Sequence, residues 1–159
     1  MADATVGRVL IDAAAWTGAS VTVGLAGSRV PDRFLRHDTW LTRIRSVEHG
    51  GRRWDRLGVR HWKRHLPEAG GAFGGTSKAR LGGVADLDRQ LMETRRAEWV
   101  HWALLGFGPA FLLWNPPALG AAMVAFGVVF NLPFIVVLRS NRARLLRVVE
   151  RRDRRAVRP

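Results

Sequence analysis

The densest run of chemically capable side chains is Glu93-Thr94-Arg95-Arg96-Ala97-Glu98-Trp99-Val100-His101-Trp102. At ~100° per residue, Thr94, Glu98, His101 and Leu105 fall on one face of a helix. Glu98 and His101 are three positions apart, so their side chains can meet. A carboxylate beside an imidazole orients the ring and raises its basicity, as a general base requires. The same pair can instead act as a hydrogen bond that ties helices together, and on these residues alone the two readings stand level. Glu93, Glu98 and His101 are the candidate catalytic residues. His101 lies ~6 Å further along the axis than Ala97. There an ionisable group must face a cavity or a partner.

A second set of residues could hold substrate. Asn131 stands seven positions before the end of the last apolar run, which is ~10 Å of helix. It can bond His101 across helices or donate to a developing oxyanion, and the helix-tying role is the commoner one for a buried amide. Trp62-Lys63, Arg95-Arg96 and Asn141-Arg142 are cationic or amide groups near the same level. Together they could grip phosphates of an acyl carrier or a lipid. For most of the cations, plain attraction to anionic lipid is the reading, worth ~1 kcal/mol each near the surface. His61 and His65 have the spacing of zinc ligands on a helix, but no acidic third ligand lies nearby, and no metal is expected. The chain has no cysteine, which removes thiolate metal sites and a cysteine nucleophile.

The elements that must position these groups are apolar helices. The first runs over 9–27 and is rich in Ala, Gly, Ser and Thr, which suits close helix packing. Its single Arg8 and its Asp12 argue against a cleaved signal peptide, so it is expected to be retained. A helix capped by Asp86 or Asp88 leads into a second apolar stretch, 99–114, of 16 residues. That is ~24 Å, short for a bilayer. Asn115-Pro116-Pro117 forms an uncharged turn. The third stretch, 117–138, is the clearest span, and Asn131 and Pro133 interrupt it. Between the first two spans, 28–98 is basic. Trp54, Leu57, Val59–Trp62 and Leu66 are spaced like a helix lying in the membrane interface. Gly70–Gly83 is glycine-rich but lacks the spacing of a phosphate-binding loop. The tail, 139–159, is a basic helix pattern.

The distribution of charge orients these spans. The net charge is +13, and of 26 Lys and Arg one precedes the first span, sixteen lie in 28–98 and nine in 139–159. Three crossings put both basic regions on one face, and basic loops stay cytoplasmic. The expectation is a single-domain, all-α, multi-pass protein of the cell membrane. It has about three transmembrane helices, amphipathic interfacial helices in the basic region and a cytoplasmic C-terminus. Beside apolar spans, such charge points to membrane lipid or an anionic substrate rather than nucleic acid.

Four stretches, in this order, resemble one family. They are Arg29–Phe34 (Arg-Val-Pro-Asp-Arg-Phe), Val59–Lys63 (Val-Arg-His-Trp-Lys), Glu93–Trp102 (Glu-Thr-Arg-Arg-Ala-Glu-x-x-His-Trp) and Asn131–Leu145 (Asn-x-Pro, then Arg-x-Asn-Arg-x-Arg-Leu). The chain is similar to the glycosyl-4,4'-diaponeurosporenoate acyltransferases of bacterial carotenoid synthesis. It departs from the family pattern at Leu138 and Ser140, where Gln and Tyr are usual. The resemblance implies an acyltransferase that moves a fatty acyl group to a sugar hydroxyl of a membrane glycolipid such as a glycosylated carotenoid. In that reading His101 takes the hydroxyl proton, Glu98 orients it, and Arg95, Arg96 and Lys63 hold the phosphates of the donor. The donor is an acyl thioester on CoA or carrier protein, and no cofactor is needed. The rival reading is a non-enzymatic scaffold or assembly factor that binds anionic lipid. The chain is short for a lipid acyltransferase, and a homodimer would complete a site.

Overall fold

The structure is a computed structural model that describes residues 2–66 and 87–156. The glycine-rich segment 70–83, and Asp86 as a helix cap, lie outside the described residues. Among the described residues the chain is all-helical. Helix α1 spans Ala2–Ser28. A 3₁₀ turn, Asp32–Phe34, follows, and a second runs over Ser46–Gly51. Two short helices come next, α2 (Arg52–Arg56) and α3 (Val59–Trp62). Helix α4 covers Leu87–Phe107 and α5 covers Pro117–Ala156. Thr5–Ser28 and Pro117–Ala156 are long and apolar enough to cross a membrane.

Local chemistry explains where these helices differ from the sequence expectation. The stretch expected as a helix over 99–114 is α-helical only to Phe107 and continues as a 3₁₀ helix over Gly108–Leu113. Pro109 lacks an N–H and its ring crowds the carbonyl four residues back, so the α-helical ladder stops there. Pro117 opens α5, where a missing N–H costs nothing. Neither Asn131 nor Pro133 breaks α5, which runs unbroken through the basic tail to Ala156. Within a packed helical protein, neighbouring groups can absorb the lost proline bond. The helix expected across Trp54–Leu66 is instead separate short helices, because Gly58 turns the chain at φ +63°.

Helices α4 and α5 form an antiparallel hairpin with the most extensive packing among the described residues, and α1 lies against α4. Trp16 of α1 anchors an aromatic cluster, with ring centroids 5.7 Å from Phe111, 6.4 Å from Phe107 and 5.3 Å from Phe126. Gly127 makes this possible, since a Cβ there would meet the Trp16 ring at 3.0 Å. The bundle therefore has two distinct ends. The hairpin end gathers Arg8, Asp12 and the turn at Trp114–Asn115. The basic end gathers the C-terminus of α1, the first half of α4 and the middle of α5.

Candidate functional site

At the basic end, Glu98 is fully buried and is the hub of an ion-pair network. Arg139 donates to its Oε1 at 2.6 Å, Arg142 donates to its Oε2, and Trp102 Nε1 donates at 3.2 Å from one turn further along α4. Arg139 also donates to Glu48, to the Leu41 carbonyl at 3.1 Å and to the Arg43 carbonyl at 2.7 Å. Arg142 donates to the Thr42 carbonyl as well. Two guanidiniums from α5 thus pin the segment 41–48 and the α4 carboxylate into one unit. The expected bond between Glu98 and His101 is absent from this arrangement. Glu98 faces α5 arginines, because two buried cations outcompete a neutral ring for a carboxylate.

Arg95 and Arg96 serve the same packing. Arg95 donates to Asp38 at 2.7 Å and to the carbonyls of Leu35 and Arg36. Arg96 donates to Asp32 at 2.8 Å and to the carbonyls of Gly27, Ser28 and Val30, and it pairs with Glu93 at 3.4 Å. These bonds cap the end of α1 and hold the chain that leaves it. The expected donor-phosphate residues Arg95, Arg96 and Arg142 therefore grip the protein's own carbonyls and carboxylates. The expected catalytic Glu93 is engaged with Arg96. Trp62 Nε1 donates to the Leu57 carbonyl at 3.2 Å, and Lys63 donates to Asn141 Oδ1 at 3.4 Å. His61 and His65 gain no metal-ligating cluster among the described residues.

His101 sits apart from this network. Its Nδ1 is 3.0 Å from Asn131 Oδ1, and its ring stacks on Phe134 with centroids 4.6 Å apart and planes 7° from parallel. Asn131 is fully buried and its Nδ2 donates to the Gly127 carbonyl at 2.9 Å. That bond fixes the amide, so Oδ1 faces the imidazole and can only accept. Nδ1 therefore carries a proton, and in the neutral ring Nε2 is the nitrogen with the free lone pair. The partner that orients His101 is Asn131 rather than Glu98. Phe134, the ring stacked on the imidazole, also lines an open groove of about 190 Å³ together with Leu66, Phe126, Val129, Phe130 and Pro133.

The hairpin end holds a group that sequence reasoning missed as a site. Asp12 is 1% exposed and accepts from Trp114 Nε1 at 2.8 Å and from Asn115 Nδ2 at 2.9 and 3.0 Å. Its signal was a carboxylate inside an apolar run, which requires a partner. Glu48 and Asp38 were missed for another reason. They lie in a basic loop where nothing local marks them as buried or paired.

A family model described as glycosyl-4,4'-diaponeurosporenoate acyltransferase matches residues 37–151. Proteins of that name from Staphylococcus aureus strains USA300 and NCTC 8325 / PS 47 are each 26% identical over 148 residues, which is 88% of this chain and 88% of theirs. No solved structure matches the chain.

Proposed function

The chain belongs to the glycosyl-4,4'-diaponeurosporenoate acyltransferase family, and we propose that it moves a fatty acyl group from a thioester donor to a sugar hydroxyl of a membrane glycolipid such as a glycosylated carotenoid. The observation that carries this reading is His101, held by Asn131 at Nδ1 and stacked on Phe134, a ring that lines an apolar groove. His101 accepts the hydroxyl proton at Nε2 as the oxygen attacks the thioester carbonyl. The new C–O bond forms, the C–S bond breaks, and the departing thiolate takes the proton from the imidazolium. Asn131 acts through His101 as a positioning residue. Lys63 and Asn141 mark the polar edge where the donor head group arrives, whether CoA or carrier protein. Arg95, Arg96 and Arg142 support that edge from within. The test is lipid profiling with and without the protein, followed by assay of the lost species. His101→Gln should keep the melting temperature and lower turnover per folded molecule by ~10²-fold or more. Normal turnover with normal melting would end the role given to His101.

The same reading places three crossings in the membrane, with α4 and its 3₁₀ extension as the second. The N-terminus then lies outside and the basic end faces the cytoplasm, following the one-to-25 split of Lys and Arg about the first span. Single cysteines at Ala118 and Ala156 test it with an impermeant thiol reagent on intact cells. Ala118 should label and Ala156 should not, and the reverse pattern would invert the protein.

A further inference from the structure

Phe126, Phe130 and Phe134 stand at successive turns on one face of α5. Phe126 and Phe130 stack with centroids 5.6 Å apart, Phe130 and Phe134 are 5.9 Å apart, and Phe134 stacks on His101. This ladder forms the wall of the groove and covers ~12 Å of helix. Its lower end meets Trp16, which contacts Phe126 edge-on. Its upper end points at the edge where Lys63 donates to Asn141, and Leu66, three residues after Lys63, lines the groove as well.

We propose that this groove seats the fatty acyl chain of the donor, with the thioester carbonyl at His101 and the methyl end running toward Trp16. The inference rests on the acyltransferase reading and adds where the transferred chain lies and what measures its length. The lining is apolar along its whole length, so it offers an acyl chain burial and offers a sugar or phosphate nothing. The direction also decides the occupant. A water-soluble carrier cannot enter the apolar bundle, so its head stays at the polar edge and its chain must lead away from it. The groove does that, leading away from Phe134, the ring stacked on His101. Phe126 lies at its far end and packs edge-on against Trp16, an approach that the missing Cβ at Gly127 allows. They act as a floor that ranks chains by length.

The full-length protein in membranes is given an equimolar series of saturated acyl-CoA donors of increasing length and a glycosylated carotenoid acceptor. The acyl-chain distribution of the product is read by mass spectrometry, as a ratio that does not depend on how much protein folds. Phe126→Ala should raise the ratio of long to short chains by ~10-fold, the scale on which a hydrophobic pocket discriminates methylenes. Val129→Trp should fill the groove and shift the ratio the other way. If the wild type transfers acyl groups and both variants keep its chain profile, the groove is lipid-facing surface only and the inference fails while the acyltransferase reading stands. If the profile is unchanged and the acceptor KM rises, the acceptor lies there and the inference fails as well. If the wild type transfers nothing, both readings fall together.

Discussion

Each end of the bundle buries one α-helical carboxylate, and the two are neutralised in opposite ways. At the hairpin end Asp12 is held by neutral donors, the indole of Trp114 and the amide of Asn115. At the basic end Glu98 is held by two guanidiniums, with Glu48 bound to one of them. The difference follows from the charge distribution. Near the hairpin Arg8 donates to the Trp114 carbonyl at 3.4 Å. By sequence sixteen Lys and Arg lie in 28–98 and nine after 138, and Arg95, Arg96, Arg139 and Arg142 gather at the other end. Where cations are scarce, a turn supplies N–H donors. Where they are plentiful, arginines from α5 tie a long loop to the helix beneath it. The two clusters lock the ends of the bundle, and His101 with Asn131 occupies the stretch between them. A carboxylate three residues from a histidine is thus spent on architecture.

The largest effect should come from Glu98. Glu98→Gln leaves Arg139 and Arg142 buried and short of a counter-charge, a loss of ~3–5 kcal/mol. Thermal melting in detergent should show a marked fall, with lost activity following lost folded protein. A Glu98→Gln protein that melts normally but fails to turn over would give Glu98 a chemical role and break the comparison. Asp12→Asn is the matching test at the hairpin end, and its effect should be smaller. The amide keeps the shape and one acceptor but weakens the bonds from Trp114 and Asn115, costing ~1–3 kcal/mol. Equal losses at both positions would mean that neutral and ionic neutralisation are worth the same here.

Much of this was legible in the sequence, and the remainder was not for a definite reason. The apolar runs of α1 and α5 and the helical register of α4 follow from local composition and period, and they appear at nearly the expected positions. The bond between His101 and Asn131 was also accessible, because equal depth on adjacent helices is a matter of counting residues. The partners of Glu98 were not. Glu98 and His101 share a face within three residues, whereas Arg139 and Arg142 come from 41 and 44 residues away and Thr42 lies 100 residues from Arg142. Local spacing ranks near neighbours and is blind to which distant cation arrives. Arg95 and Arg96 misled in the same way. A run of arginines at an interface looks like a ligand site until the carbonyls that fill it are known.

Glu48 sharpens the contrast with the smallest effect. It is 4% exposed, and burial alone would raise its pKa. Hydrogen bonds from Arg139, from the Arg45 backbone N–H and from Trp54 Nε1, together with the charge of Arg139, outweigh burial and hold the carboxyl below its ordinary value. A depressed carboxyl contributes stability that is fully present above its unfolded pKa of ~4.3 and is lost as pH falls through the folded value. Glu48→Gln should therefore melt below the wild type at neutral pH, and the gap should narrow as the pH drops beneath ~4. Comparing the two proteins cancels every other carboxylate they share. The gap should be modest even at neutral pH, because Glu98 still holds Arg139 at 2.6 Å and the Leu41 and Arg43 carbonyls still accept from it. A gap that widens in acid would reverse the sign of the linkage and show that Glu48 is buried as the acid rather than paired as the carboxylate.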